Sequence, residues 1–185
     1  MSAYSIALFL HLVGVLALFV GVGLEQTALR QLGNAVSTAQ VREWMLLLRG
    51  MGRSQGPAAL TILLSGGYMA ARGAGYHAWV GAGVVGMVLM AVAGVGVGRP
   101  RFMAIGKALP QAHGSVSPTL RARIHDPVLR ASAATRAALG LAVVFDMTVK
   151  PSALGAVIVI LLALVIGAVT AVRGVGARGA LAGNE

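Results

Sequence analysis

Residues 4–24 read YSIALFLHLVGVLALFVGVGL, a run of 21 residues that contains no Asp, Glu, Lys or Arg. A helix rises ~1.5 Å per residue, so the run is long enough to cross a hydrocarbon core of ~30 Å. A secretory signal needs a basic start, which this run lacks, so we interpret it as a retained membrane span. The stretch therefore predicts an integral membrane protein.

The composition of the whole chain has the same character. Of its 185 residues, 57% are hydrophobic and 11% are charged, with a mean hydropathy of +0.83. A soluble domain carries about 25% charged residues. We therefore expect an all-α, polytopic membrane helix bundle that forms a single domain over residues 1–185. The absence of cysteine excludes disulfides, thiolate metal sites, iron–sulfur clusters and covalently attached haem.

Four more apolar runs predict further spans. Pro57 and Pro151 stand where helices would begin, and the residue before a proline disfavours helix, so a span should end at Lys150. Ser37 is a plausible N-cap for an amphipathic interfacial helix, because apolar residues from Val41 onward recur at helical spacing. The predicted bundle has five membrane spans and this interfacial helix, with spans at residues 4–24, 57–71, 76–98, 131–149 and 152–172, and loops at residues 25–56 and 99–130.

Glycines in the third span predict close helix packing. Gly94 and Gly98 form a small-xxx-small pair, as do Ala82 and Gly86. Packing inside one chain is favoured over a dimer seam, although a homo-oligomer or a larger membrane complex stays open as a partner.

The basic residues predict an orientation. With five spans, and with Arg136 near the start of the fourth span counted with the long loop beside it, 13 of the 15 Lys and Arg residues fall on one side of the bilayer. The positive-inside rule makes that side cytoplasmic, which places the N-terminus outside and the C-terminus inside. The net charge of +10 then has anionic lipid headgroups as its partner, and nucleic acid is not expected. Abundant Gly, Ala, Val and Arg with little Lys are typical of a GC-rich bacterial genome, which predicts the bacterial inner membrane.

Two histidines and two methionines are candidate ligands. His11 lies inside the first span, where an ionisable side chain usually faces the bundle interior. His77 begins the third span on the same side of the membrane, and two facing imidazoles can ligate the iron of haem b. With Met69 and Met147 they could instead form a nitrogen–sulfur site for Cu(I). The alternatives are a neutral His11 bonded to a neighbouring helix and methionines that fill packing gaps.

Acidic residues near the span ends predict ion pairs or a relay. Asp146 and Lys150 are four residues apart and would share a helix face, with Arg72 as a second cation on that side. Glu25 could pair with Arg30 or with an arginine of the long loop. Either arrangement serves as a structural ion pair or as a proton or ion relay.

Two resemblances accompany these patterns. His11 and Gly14 in the first span resemble the start of the copper-resistance-D-like and protoporphyrinogen-oxidase-J-like membrane families, and the latter implies that His11 is a haem ligand. The proline-led second span with Ser65-Gly66-Gly67 and the ending Met147–Pro151 of the fourth span resemble small bacterial membrane proteins of unknown function. That second resemblance implies no activity.

Three functions remain open at this point. The chain could be a haem- or metal-binding protein that uses His11, a small transporter lined by His11, Asp146 and Lys150, or an accessory subunit of a larger complex. No nucleophile elbow, phosphate loop or HExxH motif occurs. An enzyme acting alone is therefore not favoured.

Overall fold

The computed structural model describes residues 2–74, 77–109 and 114–182, and these residues are almost entirely helical. Within them no β-strand occurs, apart from an isolated bridge between Ser37 and Ser115. The seven α-helices of the described residues are α1 (Ala3–Asn34), α2 (Thr38–Met69), α3 (Ala78–Ala91), α4 (Arg99–Ala108), α5 (Pro118–Ile124), α6 (Pro127–Val149) and α7 (Ala153–Ala182). Two π-helical segments, Ala70–Ala74 and Val92–Gly98, extend α2 and join α3 to α4.

Four helical stretches are long and apolar enough to cross a membrane: Ala3–Asn34, Ala78–Ala108, Pro118–Val149 and Ala153–Thr170. Their lengths and compositions fit a membrane protein. α1 contains 32 residues, about 48 Å at ~1.5 Å per residue, and so exceeds a ~30 Å hydrocarbon core, whereas Pro118–Val149 comprises two helices, α5 and α6. The predicted second span begins at residue 57 and is not among the four.

The predicted interfacial helix and second span are one continuous helix, α2. Ser37 caps it as expected, because its side chain accepts a hydrogen bond from the Gln40 N–H. A separate start at Pro57 was wrong, since the proline lies inside the helix. An internal proline costs about 3 kcal/mol. Packing on both sides of it offsets this cost, because Val41 and Ile62 are both buried.

The predicted loop over residues 99–130 is also largely helical. α4 continues the helix of the third span, with Pro100 in its first turn. The preceding π-helical segment shifts the backbone hydrogen bonds, which is one way a helix accommodates a proline. The expected start of α6 is confirmed, since the Asp126 carboxylate accepts a hydrogen bond of 2.9 Å from the Val128 N–H. The predicted turn at residues 72–75 is instead π-helical as far as Ala74. Gly75, and Tyr76 at the predicted start of the third span, lie outside the described residues.

Two separate hydrophobic cores hold the helices together. The first, which we call the end core, joins the end of α1 to the start of α2, to α4, to α5 and to the start of α6; its fully buried members include Leu32, Ile105 and Leu129. The second, the bundle core, joins the middle of α1, the second half of α2, α3, α6 and α7. Its members on α6 include Leu139 and Val143, which lie at helical spacing from the buried Asp146.

Glycines bring α3 and α6 together along their length. A Cβ built at Gly86 would lie 2.5 Å from Val143 Cγ2, and one at Gly83 would collide with Met147. Further along, Gly98 faces the Ser132 hydroxyl. Gly86, Gly94 and Gly98 of the predicted pairs therefore pack against α6 inside the chain, whereas nothing lies within 4 Å of a Cβ at Gly81 or Gly96. These contacts make α3 and α6 antiparallel.

Candidate functional site

Asp146 is the most unusual buried side chain in the described part of the protein. It lies on α6 at helical spacing from Leu139 and Val143, which belong to the bundle core. Its relative exposure is 0%, and neither carboxylate oxygen has a hydrogen-bond partner among the described residues. A buried carboxylate is normally paired or hydrogen-bonded, because burying a bare charge is very costly.

The predicted partners of Asp146 lie elsewhere, which corrects the expected ion pair. Lys150 has a left-handed backbone (φ 53°, ψ 56°) and caps α6, so the helical spacing that would align it with Asp146 is lost. Its ammonium lies 5.5 Å from the centre of the Trp79 ring. The Arg72 guanidinium lies 5.6 Å from the centre of the Tyr68 ring on its own helical segment. Both cations are thus held by aromatic rings.

Glu25 is paired with one of the arginines that the sequence analysis counted with the long loop, and not with Arg30. It forms a salt bridge with Arg136, which lies on α6. The two side chains are 9% and 16% exposed, so the pair is largely buried. Arg136 was counted with the long loop in the sequence, whereas α6 begins nine residues earlier, at Pro127. Glycine at position 94 makes room for the arginine stem, because a Cβ there would lie 3.2 Å from Arg136 Cδ.

Asp146 and this salt bridge lie at different levels of the bundle. Ten residues of α6 separate Arg136 from Asp146, about 15 Å along the helix axis. Between them α6 contributes Leu139, Ala142 and Val143 to the bundle core. Two buried acidic side chains are therefore separated by an apolar layer about half as thick as a ~30 Å hydrocarbon core.

His11 bonds to α2, as expected for a histidine that faces a neighbouring helix. Its Nδ1 lies 3.1 Å from the Ile62 carbonyl oxygen and 3.2 Å from Ser65 Oγ. A carbonyl only accepts, so Nδ1 carries the hydrogen and the neutral imidazole keeps its lone pair on Nε2. This arrangement is common in metal-ligating histidines, where a backbone carbonyl orients the ring.

Two glycines allow this contact between α1 and α2. A Cβ at Gly66 would lie 3.1 Å from His11 Cε1, so glycine leaves space for the imidazole. One turn along α1, a Cβ at Gly14 would lie 2.9 Å from Ile62. The Ser65-Gly66-Gly67 sequence thus supplies a hydroxyl and a gap for His11. The sequence analysis noted this motif but did not connect it with His11.

The other predicted ligands have contacts of their own. His77 is exposed and stacks on Trp79, with ring centroids 6.1 Å apart and an interplanar angle of 16°. Met147 packs against Gly83, and Met69 is half-buried at the end of α2. The polar and ring contacts of His11 and His77 have no residue in common. Within the described residues, no group of three or more His, Asp or Glu side chains is placed to hold a metal ion.

Three further polar atoms are buried without a hydrogen-bond partner in the described structure. They are all donors: Gln26 Nε2, Gln55 Nε2 and Arg136 Nε. Gln55 packs directly against Gly21, one turn from Glu25 on α1. A buried donor without a partner costs about 1–3 kcal/mol, so these atoms mark positions for water or for a ligand acceptor. Neither glutamine was predicted, because their sequence context is unremarkable.

Comparison of the chain with protein-family models, with curated proteins and with solved structures found no match. The chemistry of these buried groups is therefore the basis for a functional interpretation.

Proposed function

We propose that this protein is a small membrane transporter for protons or a small cation, with Asp146 as the group that binds the transported or coupling ion. The observation that carries the proposal is the complete burial of Asp146 with both oxygens unpartnered. An ionised carboxylate in hydrocarbon is penalised by roughly 2.5–3.5 kcal/mol on insertion scales. The group is stable there when it is protonated or when it binds a cation.

The position of Lys150 favours a functional role for the Asp146 carboxyl over a structural one. A structural ion pair needs a permanent counter-charge, and the nearest cation in sequence lies over Trp79 instead. Without a fixed partner, the charge of Asp146 is free to be neutralised by a mobile ion. Intramembrane carboxyls with this property are typical of proton and ion pathways.

The salt bridge between Glu25 and Arg136 supplies a second polar site on the proposed transport route. It lies about 15 Å along α6 from Asp146, beyond the apolar layer. Unpartnered donors on Gln55 and Arg136 make this region a place for bound water. Passage of an ion between Asp146 and the Glu25–Arg136 pair requires the helices to move, because Asp146 has no exposed surface in this conformation.

A five-segment topology is part of this proposal. The second half of α2 lies beside the membrane-spanning part of α1, through the contacts of Gly14 with Ala58 and Ile62. We infer that this half of α2 is the fifth embedded segment. With 13 of 15 basic residues on one side, the N-terminus lies outside and the C-terminus in the cytoplasm. Reporter fusions at Gly33, Ala74, Gly114 and the C-terminus should then read in, out, in and in; a C-terminus that reads out would contradict it.

The transport proposal is tested in liposomes. Purified protein is reconstituted in liposomes that contain a dye sensitive to pH, to Na⁺ or to K⁺, and flux is driven by a gradient of the same ion. We expect flux with the wild type, none with Asp146→Asn, and unchanged flux with Glu43→Gln, an exposed acid on α2 that serves as the matched control. Equal flux with Asp146→Asn, or no flux with the wild type, would refute the proposal. Helicity and elution volume establish that each variant is folded.

A second candidate function rests on a different observation. His11 presents Nε2 with a free lone pair, while Nδ1 is anchored on the Ile62 carbonyl. This supports His11 as a ligand to haem iron or to a soft metal. The absorption spectrum and metal content of protein purified in mild detergent test it, with His11→Ala as the variant. Gly66→Leu should displace the imidazole and lose the signal, whereas Gly67→Leu should keep it, because nothing lies within 4 Å of a Cβ there.

A further inference from the structure

A groove runs along the outside of the bundle between α1, α6 and α7. Its volume is about 650 Å³, and its walls are almost wholly apolar apart from one end. That end carries Gln26 and Arg30, one turn apart on α1. The apolar wall includes Leu141, Phe145 and Ile166.

The length of the groove matches one leaflet of a bilayer. Its α6 wall extends from Ala134 to Phe145, about 16 Å at ~1.5 Å per residue. Half of a ~30 Å hydrocarbon core is about 15 Å. An acyl chain that enters from one leaflet would fill the groove, with its headgroup beside Arg30.

The polar end of the groove has unmet capacity for an anion. Arg30 is exposed and forms no salt bridge within the described residues, where Glu25 pairs with Arg136 and Asp126 with Arg101. Gln26 Nε2 is buried without a hydrogen-bond partner. A phosphodiester supplies both a negative charge for the guanidinium and an acceptor for the amide.

We propose that this groove binds one anionic glycerophospholipid, with its phosphate on Arg30 and Gln26 and an acyl chain along α6 and α7. The site is separate from Asp146 and does not depend on the transport proposal. Basic residues beside membrane segments recognise anionic lipids in this way. The groove adds a fixed position for the acyl chain of the lipid.

Native mass spectrometry of the detergent-purified protein tests the lipid site. The protein is mixed with phosphatidylglycerol or with phosphatidylcholine of the same acyl chains, and the fraction that carries one lipid is measured. We expect the wild type to retain phosphatidylglycerol preferentially. Arg30→Gln should lower its retention roughly fivefold, to the level of phosphatidylcholine. The matched control Arg53→Gln, at an exposed arginine of α2, should have no effect.

A second variant separates the contribution of the acyl chain from that of the phosphate charge. Ala138→Phe fills the groove, so both lipids should be retained less while Arg30 is intact. Equal retention of the two lipids by the wild type would overturn the proposal, as would equal effects of Arg30→Gln and Arg53→Gln. Dimers in the spectrum that decrease with Ala138→Phe would assign the groove to a second copy of the chain and would also overturn it.

Discussion

The buried salt bridge between Glu25 and Arg136 leads to a quantitative prediction. Its side chains are 9% and 16% exposed, so removing one partner leaves a charge largely out of water. Such losses cost about 3–5 kcal/mol. Glu25→Leu should show the full cost, because a guanidinium cannot lose its proton to become neutral. Arg136→Met should cost less, because the glutamate left behind can take up a proton.

The double variant tests the coupling of the two side chains. With both replaced by apolar residues of similar size, no buried charge remains, and the cost should fall to within about 2 kcal/mol of the wild type. In circular-dichroism melting in detergent, Glu25→Leu should lower the Tm by roughly 6–20 °C, since 1 kcal/mol corresponds to about 2–4 °C at this chain length. A double variant that loses the sum of the two single losses would refute the coupling. An unchanged Tm for Glu25→Leu would refute the buried pair itself.

Three further predictions use the same melting assay. Gly86→Leu should destabilise the protein by about 1–3 kcal/mol or more, because the new side chain meets Val143. Gly81→Leu should be nearly neutral, because nothing lies within 4 Å of a Cβ there. Equal losses of stability would argue against the α3–α6 interface. Asp126→Ala should lower the stability by about 0.5–2 kcal/mol, because the N-cap hydrogen bond is lost. Asp126→Ser should retain most of that stability, because serine is also a good N-cap. Equal losses of stability in the two variants would count against the cap. Asp146→Val should raise stability by about 1–3 kcal/mol because two unsatisfied buried oxygens are removed, and a large loss would show that they have partners.

The sequence predicted the helices whose ends are set by local chemistry. The apolar length of span 1 identified a helix, although α1 continues ten residues beyond the predicted end at Leu24, to Asn34. α6 was recognisable from the cap at Asp126 and the stop at Lys150, where the structure ends the helix. These features depend on neighbouring residues only. Close packing of the third span was also predictable, because glycines at helical spacing have few other roles in an apolar helix, but the sequence did not identify α6 as its partner.

The sequence did not predict features that depend on distant packing. The continuity of α2 through Pro57 depends on burial against other helices, which outweighs the local cost of proline. Arg136 was one of several arginines counted with the long loop, so the sequence left open which of them pairs with Glu25 over 111 residues of chain. The spacing of Asp146 and Lys150 predicted an ion pair only while both residues were assumed helical. The left-handed backbone of Lys150 removes that alignment, and no local pattern indicates it.

The composition of the end core has a consequence for how the chain is made. Its buried members extend from Leu29 to Ala133, and within the described residues none of them belongs to α7. The ribosome synthesises α7 after every segment that this core needs. The core can therefore close during translation, while α7 is still being delivered to the insertion machinery. α7 then docks onto an α6 whose first turns are already held in place, so its insertion is guided by a pre-assembled template.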